Sequence, residues 1–238
     1  MIREHLAASG AGEKHFQWRG TEVTRLEHFS DAVFAFAVTL LVVSLEVPKS
    51  IPELMVALRG FVAFGVCFAM LGMVWRFHCH FFRRYGLQDG WVTFLNFVLL
   101  FFVLFYVYPL KFLASAMFGG AQRITFHDLR TIVVVYGLGS AAVFLTFACM
   151  YVHVWRKREQ LALDDMERLR TRHILFNHVA SVITALCSVL LALFLPERHI
   201  DLAGYFYFLL ALYFAFASHT FRRRERRISE AVTAAAAS

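Results

Sequence analysis

Residues 25–48 read RLEHFSDAVFAFAVTLLVVSLEVP. Asp31 and Glu46 bracket 14 uncharged residues, Ala32 to Leu45. As a helix rising about 1.5 Å per residue, that run covers about 21 Å, short of a hydrocarbon core of about 30 Å. Carboxylates cannot snorkel far. A helix that spans here therefore holds Asp31, Glu46 or both near hydrocarbon depth and turns them toward protein or water. The stretch predicts an interior or pore-lining first helix. A re-entrant or interfacial segment is the alternative, and the apolar Leu40 to Leu45 without a glycine hinge stands against it.

Outward from this stretch, four runs lack Asp, Glu, Lys and Arg for a full bilayer crossing: Trp91 to Leu110, Thr131 to Trp155, Ile174 to Leu195 and Leu202 to Phe221. Gly60 to Trp75 is 16 residues between Arg59 and Arg76. Arginine snorkels, so this run also spans, from about Leu54 to Phe82. The fold expected is all-α: a polytopic membrane protein of six transmembrane helices, one repeat per chain. Its parts are a cytoplasmic segment 1–28, a membrane domain 29–221, and a basic then Ala-rich tail 222–238. The first 28 residues lack an apolar core, so no cleavable signal peptide is expected.

Six spans put both termini on one side. Lys and Arg divide 18 to 6 in favour of that side, which makes it cytoplasmic. The expected location is a bacterial inner or plasma membrane. Hydrophobic residues make up 59% of the 238 and charged ones 17%, where a soluble domain carries about 25% charged. That balance excludes a soluble globule, a disordered chain and a coiled coil. The net charge of +7 is spread between apolar runs, so no nucleic-acid partner is expected. The four cysteines have no zinc-type spacing and read as packing residues.

Chemistry-bearing residues gather in the same leaflet. Arg25, Phe29, Ser30 and Asp31 enter the first span, Trp75 and His78 end the second, and Asn96 begins the third. Unpaired polar groups at membrane depth cost a few kcal/mol, roughly, and so seek one another. A cluster of Arg25, Asp31, His78 and Asn96 would lock three helices together. Ser30 or Asp31 could instead cap the first helix. His78 and His80 point about 200° apart on a helix and chelate poorly together. Val134 to Gly139 has a channel-filter look but lies inside an apolar run, where Gly137, Gly139, Ala141 and Ala142 suit close helix packing. REQLALDDMERLRTR, 158–172, alternates in charge and reads as a solvated extension of the fourth or fifth helix. Phe36, Thr39, Leu40 and Val43 share one stripe of the first helix, which fits either a core face or a hydrophobic constriction with a hydroxyl ring. No catalytic constellation is present, so no enzyme and no cofactor are expected.

The string Arg25-x-x-x-Phe29-Ser30-Asp31, followed by Thr39, Leu40 and Pro48, resembles the signature of the transmembrane-protein-175 family of potassium channels. Trp75, His78, Asn96 and Pro109 continue the likeness. The resemblance implies a homotetramer in the lipid bilayer, conducting potassium ions in a leak-like manner through a pore lined by first helices, without a TVGYG filter. It implies a constriction at Phe36, a hydroxyl ring at Thr39 and an outer apolar ring at Val43, with RxxxFSD holding the first helix against its neighbours. Phe36 departs from the usual Ile or Leu. Glu46 would concentrate cations at the outer mouth. The alternatives are a six-span secondary transporter, which would need midplane carboxylates absent from spans two to six, and a haem-bearing membrane oxidoreductase using the eleven histidines.

Overall fold

A computed structural model describes residues 16–20, 22–43, 50–118, 126–196 and 199–237. Among these the chain forms six helices: α1 Arg25–Val43, α2 Ile51–Tyr85, α3 Gly90–Phe118, α4 Phe126–Arg156, α5 Asp165–Phe194 and α6 Asp201–Ala237. In α3 to α6 the segments Gly90–Pro109, Asp128–Arg156, Asp165–Phe194 and Leu202–Ile228 are long and apolar enough to cross a membrane on length and composition alone. α1 and α2 complete the bundle of six.

Local chemistry sets the helix ends. α1 starts at a capping box: the Glu27 amide donates to Thr24 Oγ1 at 3.2 Å, and the Thr24 amide donates to Glu27 Oε1 at 3.0 Å. Ser30 and Asp31 are therefore not caps. They lie more than a turn inside a helix of 19 residues, about 28 Å long. α2 stops at Gly86, whose φ of 60° suits a residue without Cβ and whose amide closes back on Phe82 O at 2.9 Å. Asp89 Oδ1 accepts from the Val92 amide at 3.0 Å and starts α3. The expected extension of helix through 158–172 holds only from Asp165. Residues 157–162 form turns with Ala162 at φ 46°, and Asp164 and Glu167 make a second capping box that starts α5.

Packing runs along the chain. α1 lies on α2 and α3, α3 on α4, α4 on α5, and α5 on α6. The α4–α5 contact is the most extensive, and small residues allow close approach within it. A Cβ built on Gly137 would overlap Val189 of α5, and one on Gly139 would overlap the Tyr106 ring of α3. Tyr106 Oη also donates to Tyr136 O at 3.1 Å. The stretch 134–139 is thus continuous helix, and its glycines serve close approach. α6 continues as helix past Arg222 to Ala237 and shows most of its large side chains, Tyr205, Phe208, Leu212 and Phe216 among them, to the surroundings.

Candidate functional site: the first helix and the polar core behind it

α1 has two unlike faces. Ser30, Phe34, Ala37 and Leu41 recur at helical spacing and are buried against α2 and α3. On the opposite side Ala32, Phe36 and Thr39 are exposed, Phe36 at 56%, and Leu40 lies at the edge, packed in part on the core. Phe36 and Thr39 are therefore off the core face of this chain, whereas Leu40 packs in part against it. Thr39 Oγ1 donates its hydrogen to Ala35 O at 2.9 Å, so the oxygen lone pairs remain to meet a cation or water. Val43 is the last residue of α1, with its side chain outside those described, and Glu46 lies outside the described residues.

Behind this helix a directed hydrogen-bond chain crosses three elements. His78 Nε2 of α2 lies 2.8 Å from Asn96 Oδ1 of α3. Asn96 Nδ2 donates to Ser30 Oγ at 2.9 Å, and Ser30 Oγ donates to Leu26 O at 2.8 Å. With the Asn96 amide oriented so, only the tautomer with hydrogen on Nε2 fits His78. All three side chains are buried, and His78 Nδ1 alone of the network's side-chain atoms has no hydrogen-bond partner among the described residues. Beside it Trp75 Nε1 donates to Asp31 Oδ1 at 2.8 Å. Phe29 packs on Phe97 of α3 with ring centroids 5.7 Å apart. Phe34 and Phe82 close over the His78 ring at 5.8 and 4.7 Å.

Of the expected cluster of Arg25, Asp31, His78 and Asn96, only His78 and Asn96 bond to each other, joined by Ser30, while Asp31 bonds to Trp75 instead. Arg25 joins neither. It is exposed and lines a cleft of about 760 Å³ with Glu22, Gln88 and Phe97.

Sequence reasoning missed the clamp that precedes α1. Gln17, Trp18, Arg19 and Gly20 run along the end of α2, with the Gly20 amide donating to Arg83 O at 3.0 Å. Arg19 reaches Glu167 of α5 through two hydrogen bonds, Nη1 to Oε1 at 2.8 Å and Nη2 to Oε2 at 2.7 Å, and Nε donates to Leu161 O at 2.9 Å. The Gln17 amide adds a bond to Glu167 Oε1 at 2.9 Å, and the Asp164 amide one to Oε2 at 3.2 Å. Glu167 is 1% exposed, so these partners replace its water. Nearby, Thr171 Oγ1 donates to Glu167 O at 2.7 Å, which leaves Tyr85 Oη to donate to Thr171 Oγ1 at 2.8 Å. Arg83 stacks over Trp18 and Arg84 over Phe16, each 5.3 Å from the ring centroid.

A second ion cluster ties α3 to α4. Asp89 Oδ2 takes hydrogen bonds from His153 Nε2 and Lys157 Nζ, both at 2.8 Å. Burial raises the affinity of Asp89 for its proton, but the Lys157 ammonium, the His153 ring and the Val92 amide outweigh it. They hold the carboxyl well below the usual carboxylate range.

Three comparisons bear on this geometry. A family model described as the endosomal/lysosomal potassium channel TMEM175 matches residues 25–106, from the RxxxFSD string through most of α3. A potassium channel of Marivirga tractuosa is 37% identical over 212 residues, covering 82% of this chain and 86% of its own. A potassium channel of a Chryseobacterium species is 27% identical over 190 residues, covering 79% and 90%. Among solved structures, a variant of the potassium channel MtTMEM175 in complex with a nanobody fusion superposes with a TM-score of 0.75 at 34% identity, over 86% of this chain and 97% of that one. A lysosomal potassium-selective channel TMEM175 homologue from Chamaesiphon minutus superposes with a TM-score of 0.50 at 25% identity, over 78% and 96%.

Proposed function

Because the chain belongs to the TMEM175 family of potassium channels, we propose that it assembles as a homotetramer and passes potassium along an axis lined by four copies of α1. The observation that carries this reading is the exposed stripe of Phe36 and Thr39, which faces away from everything else in its own chain. Four such stripes turned inward would make a ring of phenyl groups with a ring of hydroxyls one turn away.

The physical argument for selection is dehydration. A greasy constriction offers an ion nothing in return for its water, and potassium holds its shell less tightly than sodium does. Crossing a Phe36 ring therefore penalises sodium more. The Thr39 oxygens, with their hydrogens already committed to Ala35 carbonyls, present lone pairs and return part of the lost coordination. Asp31 stays off the pathway, since its Oδ1 accepts from the Trp75 indole and holds α1 to α2. Both termini lie in the cytoplasm in this reading, and Glu46 stands at the outer mouth.

The test is ion flux from proteoliposomes. Under equal outward gradients, potassium should leave faster than sodium. Equal rates for the two ions would overturn selectivity, and no flux above protein-free vesicles would overturn conduction.

A further inference from the structure

Between α2, α4, α5 and α6, away from α1, lies a cavity of about 480 Å³. Its lining includes Arg76 and Arg84, the second with its guanidinium over Phe16, and none of the lining residues is acidic among the described residues. Arg76 is exposed. The walls are apolar, with Phe144, Leu210 and Phe214 among them. The floor is not. His178 is 4% exposed and sits against Phe147, Tyr151 and Phe77 at ring centroid distances of 5.2, 5.3 and 5.6 Å. Its Nε2 has no hydrogen-bond partner among the described residues, and neither has Oδ1 of the adjacent Asn177. A buried polar atom left without a partner costs about 1–3 kcal/mol; both atoms lie closed to water at the cavity wall, where a rotation of either side chain would offer a ligand hydroxyl as the missing partner.

The register of α2 and α5 puts these features at one depth. Tyr85 and Thr171 touch near the ends of their antiparallel helices. Arg76 lies nine residues up α2 from Tyr85, and His178 seven residues up α5 from Thr171. At about 1.5 Å per residue these are about 13 and 11 Å from the same reference point. A phosphate on Arg76 and a hydroxyl on His178 are therefore within the reach of one headgroup.

We propose that this cavity binds one anionic phospholipid with a hydroxylated headgroup, of the phosphatidylglycerol type. The phosphate pairs with Arg76, the headgroup hydroxyls reach His178 Nε2 and Asn177 Oδ1, and an acyl chain lies along Phe144, Leu210 and Phe214. Charge favours this occupant over a zwitterionic lipid, because Arg76 lines the cavity and no carboxylate does among the described residues. Two tails distinguish it from a free phosphate, because the walls are apolar. The site does not depend on how ions cross the protein.

Thermal melting of the purified full chain in neutral detergent tests the idea, with phosphatidylglycerol, phosphatidylcholine or glycerol phosphate added separately. Phosphatidylglycerol should raise Tm by about 4 °C over phosphatidylcholine, and glycerol phosphate should leave it unchanged. Arg76→Gln and the cavity-filling Ser218→Phe should each melt as wild type in phosphatidylcholine and lose the increment. Mass spectrometry of the wild type purified from phosphatidylglycerol-containing membranes should find that lipid retained, and the two variants should lack it. Equal shifts with both lipids, an equal shift with glycerol phosphate, or retention of the increment and the lipid by both variants would each overturn the proposal.

Discussion

Thr39 illustrates how much one hydrogen bond decides. With its hydrogen spent on Ala35 O, the hydroxyl can only accept, which is what a cation requires. Thr39→Ala is expected to lower the potassium over sodium permeability ratio severalfold without changing the fold, read as a shift of reversal potential in mixed ions. Phe36→Ala should widen the constriction and raise flux of both ions. Unchanged flux would remove Phe36 from the pathway. Asp31→Ala acts elsewhere: it strips the Trp75 indole of its acceptor and should cost about 1–2 kcal/mol, read as a lower Tm and a broadened sizing profile. That Ser30, Asp31, Trp75, His78 and Asn96 lie close together was legible because polar residues are rare at that depth, but who bonds to whom was not: Asp31 takes Trp75, and Ser30 takes the place expected for Asp31 beside Asn96. Arg25 was grouped with them by position along the chain, but a long side chain at the first turn of α1 is free to turn outward.

At the scale of elements, helix ends were harder to read than helix faces. Thr24-x-x-Glu27 carries a capping-box pattern, yet the conspicuous Ser30 and Asp31, weighed as alternative caps, lie nearly two turns farther along. Glu167 lay in the stretch 158–172 that read as solvated, and Asp89 and Arg19 were not singled out; only tertiary contact reveals the three as clamps. Asp89 makes a checkable case. Its carboxyl is held below the ordinary value of 3.8, so the stabilisation from its partners is present above pH 3.8 and is lost as pH falls toward the depressed native value. Wild type should therefore melt above Asp89→Asn at neutral pH, and the gap should close progressively below pH 3.8. A constant gap would mean that charge is not what Asp89 contributes. Gly137→Val tests the α4–α5 contact. The added side chain would meet Val189, and the overpacking should cost about 1–3 kcal/mol.

At the scale of the whole molecule, hydropathy and composition mark four of the six helices, because the spans of a membrane protein must satisfy their own backbone and so declare themselves in runs; α1 and α2 needed the further argument from short runs and snorkelling arginines. What the runs cannot declare is which faces meet, since lipid and a protein core prefer the same apolar side chains. Exposure of Phe36 in one chain shows that it is not on the core face, and the proposed tetramer would give that face an occupant. The excess of Lys and Arg on one side makes a prediction about orientation. A cysteine-reactive, membrane-impermeant label applied from outside right-side-out cells should miss a cysteine placed at Gln160 and mark one placed at His199.

The stretch just ahead of α1 would strike most workers as a ragged end to be trimmed for crystallisation. It is the wrong piece to discard. Removing Phe16 to Gly20 takes away the counter-charge of a carboxylate that no solvent reaches, along with the ring packed on Tyr85. Losing the arginine alone should cost about 3 kcal/mol, enough to turn a well-behaved sample into one that precipitates on the column.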